Sequence, residues 1–161
     1  LQGVELGDDV LEIGPGPGVT TDLLRGLTPR LTALEVDAAA ASSLEKRLDG
    51  SGVRVVHGDG AAMPFADGAF SGVVAFTMLH HVPSAELQDR LLAEARRVLR
   101  PGGVFAGFDG VHSFLFRLIH LGDTYSPVDP GTFGQRLEAA GFAGVVVERG
   151  WARFRFRAIR S

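Results

Sequence analysis

There is no cysteine anywhere in these 161 residues. That excludes disulfides, thiolate metal sites and a cysteine nucleophile, and it fits a reducing compartment, so a cytoplasmic location is expected. No apolar run approaches the length of a membrane span, and no signal-peptide pattern opens the chain at Leu1, so no membrane partner is expected. Histidines and acids do not cluster with metal-ligand spacing; His112 and His120 form no recognisable pair. Charge of one sign is not in excess either. Sixteen basic and 19 acidic residues leave a net charge of −3, which gives no general attraction to nucleic acid or acidic membranes. Internal repeats and low-complexity linkers are absent. What remains, 45 % hydrophobic and 22 % charged, is a globular composition, and its length suits one domain over residues 1–161.

The chain is organised around Val10-Leu11-Glu12-Ile13-Gly14-Pro15-Gly16-Pro17-Gly18. An apolar run with one acid stops at three glycines spaced two apart, and an amphipathic segment follows at once. That reads as strand, tight loop, helix. Glycine at alternate positions permits positive φ and lets a ligand lie against the main chain. The opening turn of the helix offers N–H groups and partial positive charge. A nucleotide-type site and a merely tight strand–helix turn both satisfy the loop taken alone.

Strand-like runs alternate with helical periodicity along most of the length, the signature of an α/β fold with a parallel sheet covered by helices. The first strand is expected at about Asp9 to Ile13, with few residues before it and no N-terminal lid among them. Its helix is expected to bury Val19, Leu23, Leu24 and Leu27. The second strand, about Leu31 to Val36, carries Glu35 near its end, 21 positions beyond Gly14. An acid at that distance, on the tip of the neighbouring strand, stands where a ribose diol would be held. Asp37 reads as a helix N-cap. The third strand, about Val53 to His57, runs into Gly58-Asp59-Gly60, where Asp59 can accept a hydrogen bond from an exocyclic amine. A fourth strand at about Gly72 to Phe76 is followed by Thr77-Met78-Leu79-His80-His81-Val82-Pro83. Ser84 then caps a helix with Leu87, Leu91, Leu92, Ala95, Val98 and Leu99 as its buried stripe. Pro101-Gly102-Gly103 is expected to turn sharply into a fifth strand, about Val104 to Phe108.

Five segments in this order, V-L-E-I-G-P-G-P-G, A-L-E-V-D, H-G-D-G-A-A-M-P-F-A-D-G-A-F, L-H-H-V-P and R-V-L-R-P-G-G, resemble the Rossmann-like, seven-strand S-adenosylmethionine-dependent methyltransferases, and most closely their type 11 branch. The resemblance covers about Val10 to Phe105. It implies a seven-stranded, mostly parallel sheet with an antiparallel terminal strand and helices on both faces, and S-adenosyl-L-methionine as cofactor. It also implies roles. Gly14, Gly16 and Gly18 would wrap the methionine end, with Pro15 in the turn; Glu35 would hold the ribose hydroxyls. Asp59 would meet the adenine amine beside the main chain of Gly60, and Thr77 would lie near the sulfonium. Glu12 would order the loop or reach the cofactor amine through water. Two departures stand out. Ser71 replaces the usual aspartate, which bears on packing of the fourth strand. The helix that precedes the first strand in the family is not found, so the substrate side is expected to be incomplete.

Beyond Phe108 only topology resembles the family, and residues 109–161 are read as the substrate side. Ser113 to Leu121 is expected to form an apolar short helix or lid, Asp129 and Pro130 to open a helix, and Val145 to Glu148 with Trp151 to Ile159 to make a closing antiparallel pair. Arg153, Arg155 and Arg157 share one face of the last strand, as a solvated face or an anion-binding patch. Methyl transfer needs positioning and exclusion of water more than covalent help, and a general base is optional. Candidate bases or substrate contacts are His80 and His81 after the fourth strand and Asp109 and His112 after the fifth. The expected acceptor is a small molecule. Nucleic acid is not expected, because N/D-P-P-[YF] is absent after the fourth strand. Two other readings stay open: a non-catalytic cofactor-binding module, and an NAD-dependent oxidoreductase, although Val19 after Gly18 departs from G-x-G-x-x-G.

Overall fold

Alternating apolar runs and amphipathic stretches produce seven strands and four α-helices in the computed structural model, which describes residues 3–111 and 126–161. Strands β1 (Asp9–Ile13), β2 (Arg30–Glu35), β3 (Arg54–His57), β4 (Phe70–Phe76), β5 (Leu99–Gly110), β6 (Phe142–Arg149) and β7 (Arg153–Arg160) form one sheet in the order β3-β2-β1-β4-β5-β7-β6. Neighbours from β3 to β5 are parallel. Strand β7 runs antiparallel to both β5 and β6, so the one reversed strand lies inside the sheet, with β6 outside it.

Helices α1 (Val19–Leu24) and α2 (Ala38–Arg47) cover one face; α3 (Ala85–Val98) and α4 (Pro130–Ala139) cover the other. The period-2 alternation of the strands divides the core accordingly. Val10, Leu31 and Val74 pack with Leu24 of α1, and Ala33 packs with Leu44 and Leu48 at α2. Leu11, Ile13, Val73 and Phe105 pack with Leu91, Leu92 and Val98 of α3 and with Phe133 and Leu137 of α4. The caps are local in origin. Asp37 accepts from the Ala40 N–H at 2.7 Å, Ser84 from Leu87 at 3.2 Å, and Asp129 from Gly131 at 2.9 Å with Pro130 in the first turn.

Three expectations need correction. Helix α1 has six residues, and of the four side chains expected inside only Leu24 is buried; Val19, Leu23 and Leu27 are 68 %, 69 % and 70 % exposed. The helix is too short to need a full apolar stripe, because Thr21 and Glu12 tie it to the sheet instead. Pro101-Gly102-Gly103 is not a turn before the fifth strand but an irregularity within it: Phe70 pairs with Leu99 and Gly72 with Val104. On α3, Leu87 is only half buried and Gln88 takes an inner place, donating to the carbonyls of Leu79 and Ser126.

The departure at Ser71 has a structural outcome. Its hydroxyl accepts from the Asp9 N–H at 2.9 Å and lies 2.9 Å from the Leu6 carbonyl, latching the entry of β1 to β4. The apolar segment expected at Ser113 to Leu121, with His112 and His120, lies outside the described residues.

Candidate functional site

A cavity of about 720 Å³ opens at the C-terminal ends of β1 to β4. Between β1 and β4 the strand order reverses, which leaves a crevice above the sheet where no crossover covers the strand ends. The glycine loop forms one wall. Gly14, Gly16 and Gly18 have φ of 65°, 52° and 81°, a region that costs a side-chain-bearing residue strain. A Cβ on Gly14 would stand 2.9 Å from Cβ of Met78, and one on Gly18 would strike Leu44 and Arg47. Gly18 itself supports the loop from behind and does not line the cavity.

Two carboxylates hold this wall. Glu35, buried at the end of β2, accepts from the Gly16 N–H at 3.1 Å through Oε2 and from the Asp37 N–H at 3.1 Å through Oε1. The Gly14 N–H donates to the Leu34 carbonyl at 2.9 Å, so the loop is fastened to β2 twice. Each Glu35 oxygen has accepting capacity left for a ligand hydroxyl. Glu12 faces away from the cavity. It accepts from the hydroxyls of Thr20 and Thr21, the second at 2.5 Å, and joins β1 to the first turn of α1. Burial pushes its carboxyl above the usual carboxylate range, against the pull of the two hydroxyls and with Asp22 adding to the rise.

The opposite wall comes from the ends of β3 and β4. Asp59 is exposed at the cavity edge, its Oδ1 accepting from the Ala61 N–H at 2.8 Å, and Gly60 lines the cavity beside it. A Cβ on Gly60 would come within 2.9 Å of Leu91. Thr77 has φ of 51°, the only positive value at a non-glycine among the described residues. Its N–H still donates to the Phe108 carbonyl of β5 at 2.9 Å, and the positive φ then turns the chain out of β4 and brings Met78 against Gly14. Pro15 and His81 also line the cavity.

His80 and Asp109 are brought together behind this wall rather than in it. Both are buried, His80 Nδ1 is 2.5 Å from Asp109 Oδ1, and the His80 N–H donates to Oδ2 at 3.2 Å. The Gly110 N–H also donates to Asp109 Oδ1, at 2.6 Å. The ring of His81 lies over that of His80 with centroids 4.2 Å apart. So one histidine is held by an acid and the next faces the cavity. Among the described residues no group of three or more acids and histidines stands together as a metal site.

The sequence pattern of the Methyltransferase domain family matches residues 11–107, which carry every wall just described. The chain belongs to that family. Sterol 24-C-methyltransferase ERG6B of Gibberella zeae is 32 % identical over 126 residues, covering 75 % of this chain and 31 % of that protein. Ubiquinone/menaquinone biosynthesis C-methyltransferase UbiE of Methylobacterium nodulans is 33 % identical over 150 residues, covering 74 % and 58 %. This methyltransferase domain thus spans less than two-thirds of either relative. Phosphoethanolamine N-methyltransferase 2 of Haemonchus contortus, solved in complex with S-adenosyl-L-methionine, superposes with a TM-score of 0.81 at 14 % identity. That match covers 98 % of this chain and 49 % of the other, and it shows a shared fold.

The methyltransferase domain adds cavity residues that the sequence does not mark as such: Val36 and Met78, and Leu87 and Leu91, which are expected only as core of the helix after Ser84. They are apolar residues just past a strand end or on the inner turns of α3. Their residue type marks them for a core as readily as for a ligand, so only the crevice distinguishes them.

Proposed function

We propose that this domain binds S-adenosyl-L-methionine in the 720 Å³ cavity and passes its methyl group to an apolar small-molecule acceptor. One observation carries the reading: Gly14 to Gly16, Glu35, Asp59-Gly60 and Thr77 come from four different strand ends and line one cavity. The fit to the cofactor is chemical. A positive-φ glycine loop leaves main chain accessible, a buried carboxylate with spare acceptor sites suits a diol, and an exposed carboxylate suits an amine. When bound, the cofactor supplies an electrophilic methyl on a sulfonium.

The chain's own residues then do three things. Gly16 and Glu35 hold the loop and receive the ribose hydroxyls; Asp59 takes the adenine amine, with Gly60 giving the base room. Thr77 and Met78, bent across the end of β4, set the methyl-bearing end of the site. His81 stands in the wall where it can take a proton from an acceptor, while Asp109 holds His80 beneath it. Positioning and exclusion of water supply most of the rate, roughly 7–11 kcal/mol where geometry is good.

The acceptor side is apolar: Val19, Val82, Pro83 and Leu87 line it. The names of the sterol and the quinone-pathway relatives support an acceptor of that character and methylation at carbon. Residues 1–161 act as one domain in this reading. Isothermal calorimetry with S-adenosylhomocysteine tests the site. Binding by the wild type, sharply weakened in Glu35→Ala, supports it; no binding overturns it. A rise in NADH fluorescence on mixing would favour the oxidoreductase reading instead. Cofactor binding with no labelled methyl passing to any apolar acceptor would favour the non-catalytic module.

A further inference from the structure

Trp151 is the one tryptophan of the chain, and it is 99 % exposed. It stands at the tip of the β6–β7 hairpin between Arg149 and Arg153, both exposed. The turn is closed by its backbone, the Gly150 N–H donating to the Arg153 carbonyl at 2.8 Å, so folding places no demand for an indole there. A bare indole leaves a large apolar surface in water, a cost that a contact outside the chain would remove. Neither flanking guanidinium is in an ion pair among the described residues; that of Arg153 lies 5.4 Å from the centre of the Phe108 ring.

Register fixes where this tip lies. Gly110, at the C-terminal end of β5, pairs with Arg153, and Phe108 pairs with both Phe76 of β4 and Arg155 of β7. The hairpin turn therefore stands on the same edge of the sheet as the strand ends that line the cavity. Strands β1, β4, β5 and β7 are successive, so three strand spacings, roughly 15 Å, separate the hairpin from the glycine loop. The cavity's own rim is apolar on its outer side as well: Val19 and Val36 line it and are 68 % and 65 % exposed.

We propose that this edge docks on an anionic phospholipid surface, with the Trp151 indole at headgroup level and Arg149 and Arg153 on lipid phosphates. An indole has an apolar body and one N–H donor, which suits a boundary that is wet on one side and apolar on the other. Guanidinium groups bind phosphate with matched, paired donors. The net charge of −3 argues against a general attraction, but the charge that meets the surface is local. Arg155 and Arg157 continue the basic run along the exposed face of β7, with Glu148 as the acid beside them. Nucleic acid fits less well. Single strands are held by several aromatics along a basic groove, and here Phe154 and Phe156 are buried on the opposite face. The anchoring residues include none of those assigned to the cofactor, so this inference stands or falls separately from the methyl-transfer reading.

Trp151 being the sole tryptophan, its emission reports the contact directly. The full chain is mixed with vesicles of phosphatidylcholine alone, or of phosphatidylcholine with about one-third phosphatidylglycerol. The expected result is a blue-shifted emission and co-sedimentation with the anionic vesicles only, fading in high salt. Trp151→Ser, and Arg149→Ser with Arg153→Ser, should each reduce sedimentation at least about tenfold. Their thermal midpoints and S-adenosylhomocysteine affinities should match the wild type, because the substituted side chains are exposed and remote from the glycine loop. No emission shift, equal binding to both vesicle types, or wild-type sedimentation by Trp151→Ser overturns the proposal. So does tight binding of a single-stranded oligonucleotide by a chain that ignores anionic vesicles.

Discussion

The edge of the sheet that bears the cavity is built in two different ways. From β3 to β4 it is held by polar bonds: Glu35 to the main-chain N–H groups of Gly16 and Asp37, Gly14 to the Leu34 carbonyl, and Glu12 to the threonine hydroxyls of α1. From β5 to β6 it is held by aromatic packing. Phe133 lies against Phe154 and Phe156 with centroids 5.4 and 5.1 Å apart, and Phe105 carries the packing on from Phe156 to Phe142, toward the opposite edge of the sheet. The first construction fixes loops to within a hydrogen bond and leaves acceptor atoms facing a crevice. The second is stiff but offers a ligand no directional contact. Asp109 is the seam, an acid of β5 that reaches back to hold His80 after β4.

This contrast can be broken by substitution. The largest effect is expected from Phe154→Ala, which empties a fully buried aromatic site and should cost about 3–5 kcal/mol in urea unfolding. The affinity of the folded fraction for S-adenosylhomocysteine should stay unchanged; a change there would show that the two halves are not separable. Glu35→Ala should do the reverse, weakening ligand binding by roughly 1.5–3 kcal/mol in calorimetry with a smaller effect on unfolding. Ser84→Ala removes the cap of α3, whose Leu91 belongs both to the core and to the cavity wall. It should lower stability by about 1 kcal/mol and reduce ligand affinity slightly, a joint effect that neither half alone would give.

The smallest effect concerns acidity. Burial holds the Glu12 carboxyl above the usual carboxylate range, so the folded state keeps its proton to higher pH than the unfolded chain does. Its contribution to stability is therefore full below the ordinary carboxylate value and declines as pH climbs through the raised one. Glu12→Gln should abolish that decline, seen as a flatter dependence of the urea midpoint on pH over this interval. An unchanged slope would show that the threonine hydroxyls compensate the buried charge completely.

Much of the first construction was legible in the sequence because its parts are spaced by geometry. Alternate glycines, an acid 21 residues on and an Asp-Gly step at the next strand end leave little freedom. The second construction was legible only as a pattern. The Arg-Phe alternation of β7 gives its two faces, Phe154, Phe156 and Ala158 inside and three arginines outside, as expected. Nothing in that alternation says which strand lies next to β7. The pairing of His80 with Asp109 was equally hidden, since the two are joined by sheet register across 29 residues. The exposed face of α1 was misread because an apolar residue at helical spacing carries no mark of whether a neighbour exists to cover it.

The placement of β7 inside β6 constrains the order of assembly. Strand β6 touches the sheet only through β7, so it has no edge of its own to join until β7 is laid along β5. The two are therefore best joined as a preformed ribbon, a local event on the microsecond scale, followed by one docking step against an aromatic surface. In exchange with deuterated water, the amides of β6 would open no later than those linking β7 to β5.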